Sequence, residues 1–250
     1  RKRRRCIVLS EYIADSAALT HTAERIRAKT GGTDPITWDA AKGFGDAVDA
    51  IPAGGGTDAL ESRITGSITA YSNDTITTTV SYSFASCKAL VSVDLPEVKV
   101  LESNAFLDCT KLANLNLPDL QTIGYNTFRN CRSITEFITT SKFNSRLDTS
   151  AFEGCSGLEK ADFYKINANQ GISGYALACA NLVTLIIRNT DAVPTSKSNM
   201  FGPASTKMNT GEGYIYVPAA MVDAYKAATN WSKYADQIRA IEDYPDITGG

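Results

Sequence analysis

Five cysteines recur at spacings of 22, 22, 24 and 24 residues, each inside the same apolar frame, and that repetition constrains the fold more than any other feature of the chain. They are Cys87, Cys109, Cys131, Cys155 and Cys179. Three residues before each stands Phe84, Phe106, Phe128 or Phe152; in the fifth copy the nearest apolar residue is Leu177. Three residues after come Leu90, Leu112, Ile134, Leu158 and Leu182. Then follow Val93, Leu115, Phe137, Ala161 and Leu185, and two further on Leu95, Leu117, Thr139, Phe163 and Ile187. A fixed period of this length marks a repeat architecture. Continuing the 22-residue period backwards places Ile68, Tyr71, Asn73 and Ile76 at the same phases, in a terminal copy without the cysteine.

Each unit ends in alternation: in LVSVDLP, Val93 and Leu95 share one face while Ser92 and Asp94 share the other. That is a short, half-buried strand. Pro96 and Pro118 close two of the strands by removing a backbone donor. One strand per unit of about 22 residues cannot bury its own apolar side, so the units must stack. Stacking at about 4.8 Å per step makes a parallel strand ladder, and the intervening segments return on the other side. The expected fold is an α/β solenoid.

Within it the cysteines fall at one phase and form a column of small apolar side chains. Identical positions project parallel Cβ vectors, whereas a disulfide needs them turned together. Zinc sites want close pairs such as C-x₂-C, and none occurs. The only histidine, His21, is remote in sequence. All five thiols are therefore expected to be free and structural.

The pattern F-x-x-C-x-x-L-x-x-V-x-L-P followed by I-x-x-x-x-F resembles the BspA-type leucine-rich repeats, over about residues 68–187. The resemblance implies a leucine-rich-repeat array of non-enzymatic character, in a family associated with bacterial surface adhesins and found also in phage-encoded proteins. The copy beginning at Phe128 departs from the pattern, since TTSKFNSRLDTSAF lacks the strand-ending proline and is two residues longer. A local irregularity is expected there.

Around the array, the chain divides into a basic tail or junction (1–15), a two-helix module (16–53), a linker and start of the N-terminal cap (54–67), the array (68–213), and a C-terminal helical cap and tail (214–250). In the module, Leu19, Ala23 and Ile26 share one helical face, and Ala41, Phe44, Val48 and Ile51 another. Gly31–Gly32 stop the first helix; Pro52 and Gly54–Gly56 stop the second. This segment resembles short helical modules of phage tail and tail-fibre-like proteins, which implies self-association or docking through residues 16–53. In the cap, Met221, Ala224 and Tyr225 are expected on one side of a helix, with Trp231, Tyr234, Ile238 and Ile241 on a second helical stretch covering the open core.

The composition excludes several function classes. The run RKRRR reads as a solvated end or a junction in preference to a nucleic-acid or anionic-surface tail, and beyond it 20 basic side chains face 27 acidic ones, which argues against nucleic acid as a partner. No apolar run of about 18 residues is present, so no spanning helix is expected. No P-loop, G-x-S-x-G or dinucleotide fingerprint appears, so neither an enzyme nor a cofactor is expected. The candidate binding residues face outward from the ladder: Ser92, Asp94, Asn114, Asn116, Glu136, Lys160, Asp162 and Thr184, with Ile138 and Ile186 as isolated aliphatics among them. Such a face suits a protein or glycan on a cell surface. A phage tail-associated or receptor-binding protein in the virion is the first functional expectation, and a secreted or surface-bound bacterial adhesin the alternative.

Overall fold

A computed structural model describes residues 68–248; the basic tail, the two-helix module and the linker lie outside the described residues. From residue 68 to 206 the chain is a stack of coils built from strands and tight turns, and helix is confined to the C-terminal part.

The main ladder takes one short strand from each coil: β1 (Ala70–Ser72), β2 (Ser92–Asp94), β4 (Asn114–Asn116), β6 (Glu136–Ile138), β7 (Lys160–Phe163), β8 (Thr184–Ile187) and β9 (Tyr214–Val217). Every pairing is parallel and in the register that the repeat dictates, Ser92 opposite Asn114 and Ala161 opposite Leu185, for example. A second, narrower ladder runs down the side. Its two-residue strands β3 (Val100–Leu101) and β5 (Thr122–Ile123) pair in parallel. Single bridges continue it through Ile123–Leu147, Leu147–Ile172 and Ile172–Ser196.

Between the ladders, the apolar frame fills the core. Phe84, Phe106, Phe128 and Phe152 stack at centroid separations of 5.1, 5.5 and 5.3 Å, each buried. The residue before the cysteine turns the corner with positive φ: Ser86, Asp108, Asn130 and Gly154. Small polar residues and glycine tolerate that conformation best. Neighbouring corners are tied by Asn130 Nδ2 donating to Asp108 Oδ1 at 2.8 Å.

Four of the five thiols are free and buried: Cys109, Cys131, Cys155 and Cys179. Each donates to the carbonyl of the phenylalanine one coil earlier, as Cys109 Sγ does to Phe84 O at 2.9 Å and Cys131 Sγ to Phe106 O at 3.1 Å. Burial pushes the Cys109 thiol up to about 12 and raises Cys131 and Cys179 well above the usual thiol range. Cys87 departs from the expectation: it is disulfide-bonded, and its partner is not among the other four. Cys87 begins the column, and the coil before it carries no cysteine.

At the C-terminal end, a sixth turn contains α1 (Lys207–Thr210) and leads into β9. After it come a 3₁₀ turn (Ala219–Met221), α2 (Val222–Ala227), a second 3₁₀ stretch (Ser232–Gln237), β10 (Ile238–Ala240) and α3 (Pro245–Thr248). Trp231 and Tyr225 are wholly buried over the end of the core, their rings 5.0 Å apart, and Trp231 Nε1 donates to Pro194 O at 2.8 Å. Two expectations fail here. Ile238 lies on a strand that adds a rung parallel to β9, not on a helix. Ala224 is exposed, because the 3₁₀ turn before α2 shifts the helical phase and leaves Met221, Val222 and Tyr225 facing the core.

Candidate binding face of the ladder

The outer face of the ladder splits into two halves of different character. In the C-terminal half, Asp162 is 4% exposed and Ile186 wholly buried, contrary to their expected outward exposure. The chain's own tail reaches this half of the face. Tyr244 meets Tyr216 at 5.3 Å, and Lys160 Nζ donates to Ile247 O at 2.9 Å. Arg188 clamps Asp162 with two hydrogen bonds, Nε to Oδ1 at 2.9 Å and Nη2 to Oδ2 at 2.7 Å. The hydrogen bonds to Asp162 raise the guanidinium's pKa, as a close carboxylate should. Lys160, Asp162 and Thr184 thus belong to a covered or half-buried region; Tyr164 beside it is exposed, and Tyr214 presents its ring with the Arg239 guanidinium 4.9 Å over it.

In the N-terminal half the face is open, and the main ladder breaks within it. β1, β2 and β4 form one sheet, β6 to β10 another, and no pairing joins β4 to β6. In the coil before, Val91 O accepts the amides of Ala113 and Asn114, and the Leu95 amide donates to Asn116 O. One coil on, Ala113 O and the Leu117 amide have no such backbone partner. A cleft of about 660 Å³ opens between the two strands. Ser92, Asp94, Asn114, Asn116 and Glu136, five of the eight residues expected from sequence, line it together with Ile138.

The cause lies in the copy that departs from the repeat. Thr139 stands where Leu95, Phe163 and Ile187 fill the core. A hydroxyl cannot fill that volume; Thr139 Oγ1 instead donates to Asp162 O at 3.3 Å and accepts the Tyr164 amide at 2.8 Å, bonds that draw β6 towards β7. On the other side, Leu115 and Leu117 are only partly buried, unlike Val93 and Leu95 one coil earlier. Single hydroxyls bridge the cleft at its ends: Ser133 Oγ to Thr110 O at 2.9 Å, and Thr140 Oγ1 to Pro118 O at 2.8 Å.

The walls are polar and acidic above an apolar floor. Asn116 Nδ2 donates to Asp94 Oδ1 at 2.7 Å, which fixes that carboxylate at the rim. Glu136 is exposed, and so is Ile138, at 56% the most exposed of the large apolar side chains described. No lysine or arginine lines the cleft. Among the described residues no cluster of three or more His, Cys, Asp or Glu could hold a metal ion. The cleft itself was not foreseen from sequence. Its signal was Thr139, a β-branched polar residue at a core phase, beside the missing proline.

The description BspA type leucine rich repeat region matches residues 72–205 in six copies. The chain belongs to this family. Among solved structures, a leucine-rich repeat protein from Bacteroides ovatus is similar at 15% identity, with a TM-score of 0.33. The match covers 62% of this chain and 57% of that protein, so it spans little more than half of the relative's length. No curated protein matches. The chain is thus a BspA-type repeat protein of binding or structural character, and no helix among its described residues is long and apolar enough to cross a membrane.

Proposed function

We propose that this BspA-type protein is a non-enzymatic recognition protein that presents the N-terminal half of its ladder face, centred on the cleft between β4 and β6, to a protein on a cell surface. The observation that carries the reading is the asymmetry of the face: the chain's own tail covers the C-terminal half, while Asp94, Asn114, Asn116, Glu136 and Ile138 stand open around the cleft. Repeat proteins of this kind bind through such extended surfaces. The attachment we propose is to a phage tail through residues 16–53, supported by the resemblance of that segment to tail-fibre-like modules. A bacterial surface adhesin is the second reading, favoured by the family assignment itself.

Fluorescently labelled full-length protein applied to a panel of bacterial strains tests recognition. Wild type should label at least one strain, and Asn116→Arg, which places a long cation at the cleft rim, should abolish labelling without changing the melting temperature. Equal labelling by both would place recognition elsewhere. Sedimentation of the full chain beside one starting at Thr57, with pull-down of tail proteins, tests attachment. If neither form self-associates or engages a tail protein, the adhesin reading takes over.

A further inference from the structure

We infer that the cleft between β4 and β6 seats an extended, lysine- or arginine-bearing peptide segment of the partner protein, whose main chain hydrogen-bonds to the exposed strand edges. The inference rests on the reading that this face is a recognition surface, and it specifies the chemistry recognised there. Three observations converge.

First, the walls are strand edges. Ala113 O and the Leu117 amide, counterparts of groups that pair with the next coil elsewhere in the ladder, turn to the cleft with no backbone partner. Edges of this kind pair with an added extended chain: main-chain bonds supply affinity and alternate side chains supply specificity. Second, the size is right. A volume of about 660 Å³ falls within the range of roughly 300–1,000 Å³ for clefts that bury a ligand. The walls contributed by β4 and β6 are each three residues long, about 10 Å of extended chain. Third, the charge is one-sided. Asp94 and Glu136 lie on opposite sides of the opening, and no cation lines it. The Asp94 carboxylate is held by Asn116 and Ser72, at 2.7 and 3.5 Å, while that of Glu136 makes no hydrogen bond or ion pair among the described residues. An extended segment alternating basic and apolar residues satisfies all three, its cations at the rim and its apolar side chains against Ile138, Leu115 and Leu117.

The probe is a displayed library of random linear peptides, selected on the full-length protein. The expected winners alternate Lys or Arg with β-branched residues. Their affinity should fall about tenfold with Asp94→Asn combined with Glu136→Gln, two exposed substitutions that leave the core untouched. N-methylation along the winning peptide should abolish binding, because it removes main-chain donors and keeps every side chain. Winners without cations, indifference to the double variant, tolerance of N-methylation, or no enrichment at all would each overturn the inference. Loss of cell labelling in the Asn116→Arg variant alongside any of those results would sink the peptide chemistry alone and leave recognition by the face standing.

Discussion

Raising the pH tests the thiol column directly. Cys109, Cys131 and Cys179 are wholly buried, and burial holds their pKa values above the ordinary 9.0, Cys109 at about 12. A thiol whose folded pKa is raised stays protonated in the native state after it has ionised in the unfolded chain. The unfolded state then binds fewer protons, so stability is complete below about pH 9 and falls as the pH rises towards the folded value. At about pH 10, one unit above the ordinary value, each such thiol costs ~1.4 kcal/mol. The three together cost about 4 kcal/mol, a large share of a typical total of roughly 5–15 kcal/mol. Tyr225 and Tyr234 are also raised by burial, Tyr234 to about 12 from 10.0, and so add their own loss only above about pH 10. Urea unfolding between about pH 7 and pH 10 should therefore show the midpoint falling with an unchanged slope against urea. Cys131→Ala should start about 1 kcal/mol less stable at neutral pH, having lost its bond to Phe106 O. It should then lose about 1.4 kcal/mol less than wild type on going to pH 10. A flat wild-type profile over that interval, or parallel profiles for the two proteins, would refute the column as a buried, protonated structure.

Three further outcomes follow from the packing. Phe128→Ala should cost about 3–5 kcal/mol by thermal or urea unfolding, since the ring is fully buried and meets Phe106, Phe137 and Phe152 within 5.5 Å, whereas Ile138→Ala should be almost neutral. Arg188→Ala should cost about 3–5 kcal/mol by leaving Asp162 buried without its clamp, and Arg188→Ala with Asp162→Asn should recover part of that loss. Deleting residues 218–250 should cause aggregation visible by light scattering, because it uncovers the edge of β9 and the core beneath Trp231; a soluble monomer of unchanged melting temperature would show that the segment is no cap.

The ladder, its register and the aromatic column were legible in the sequence because identical phases recur, and a repeat is read by comparison with itself. Phe84 through Phe152 needed only their common distance from a cysteine. The cleft was less legible because it follows from one weak residue: Thr139 differs from its counterparts by a hydroxyl, and only the geometry shows that hydroxyl turned to Asp162 O and the Tyr164 amide. Asp162 and Ile186 were misplaced for a different reason. Alternation assigns a residue to a face of its own strand and says nothing of a clamp such as Arg188 or of a distant segment that returns to that face. The state of Cys87 was missed because the column argument compares the repeat only with itself, and the partner of Cys87 is not one of the column's other cysteines.

The bond from each thiol to the phenylalanine carbonyl one coil earlier has a consequence for how such arrays change length in evolution. Each of the coils carrying Cys109, Cys131 and Cys155 brings one donor for the coil behind it and one acceptor for the coil ahead. A duplication of one whole unit therefore restores the same contact at both new junctions, wherever in the frame the copied segment begins. A deletion of one unit does likewise. Tandem gain and loss of coils should thus be nearly silent for the fold, and partial units should be purged.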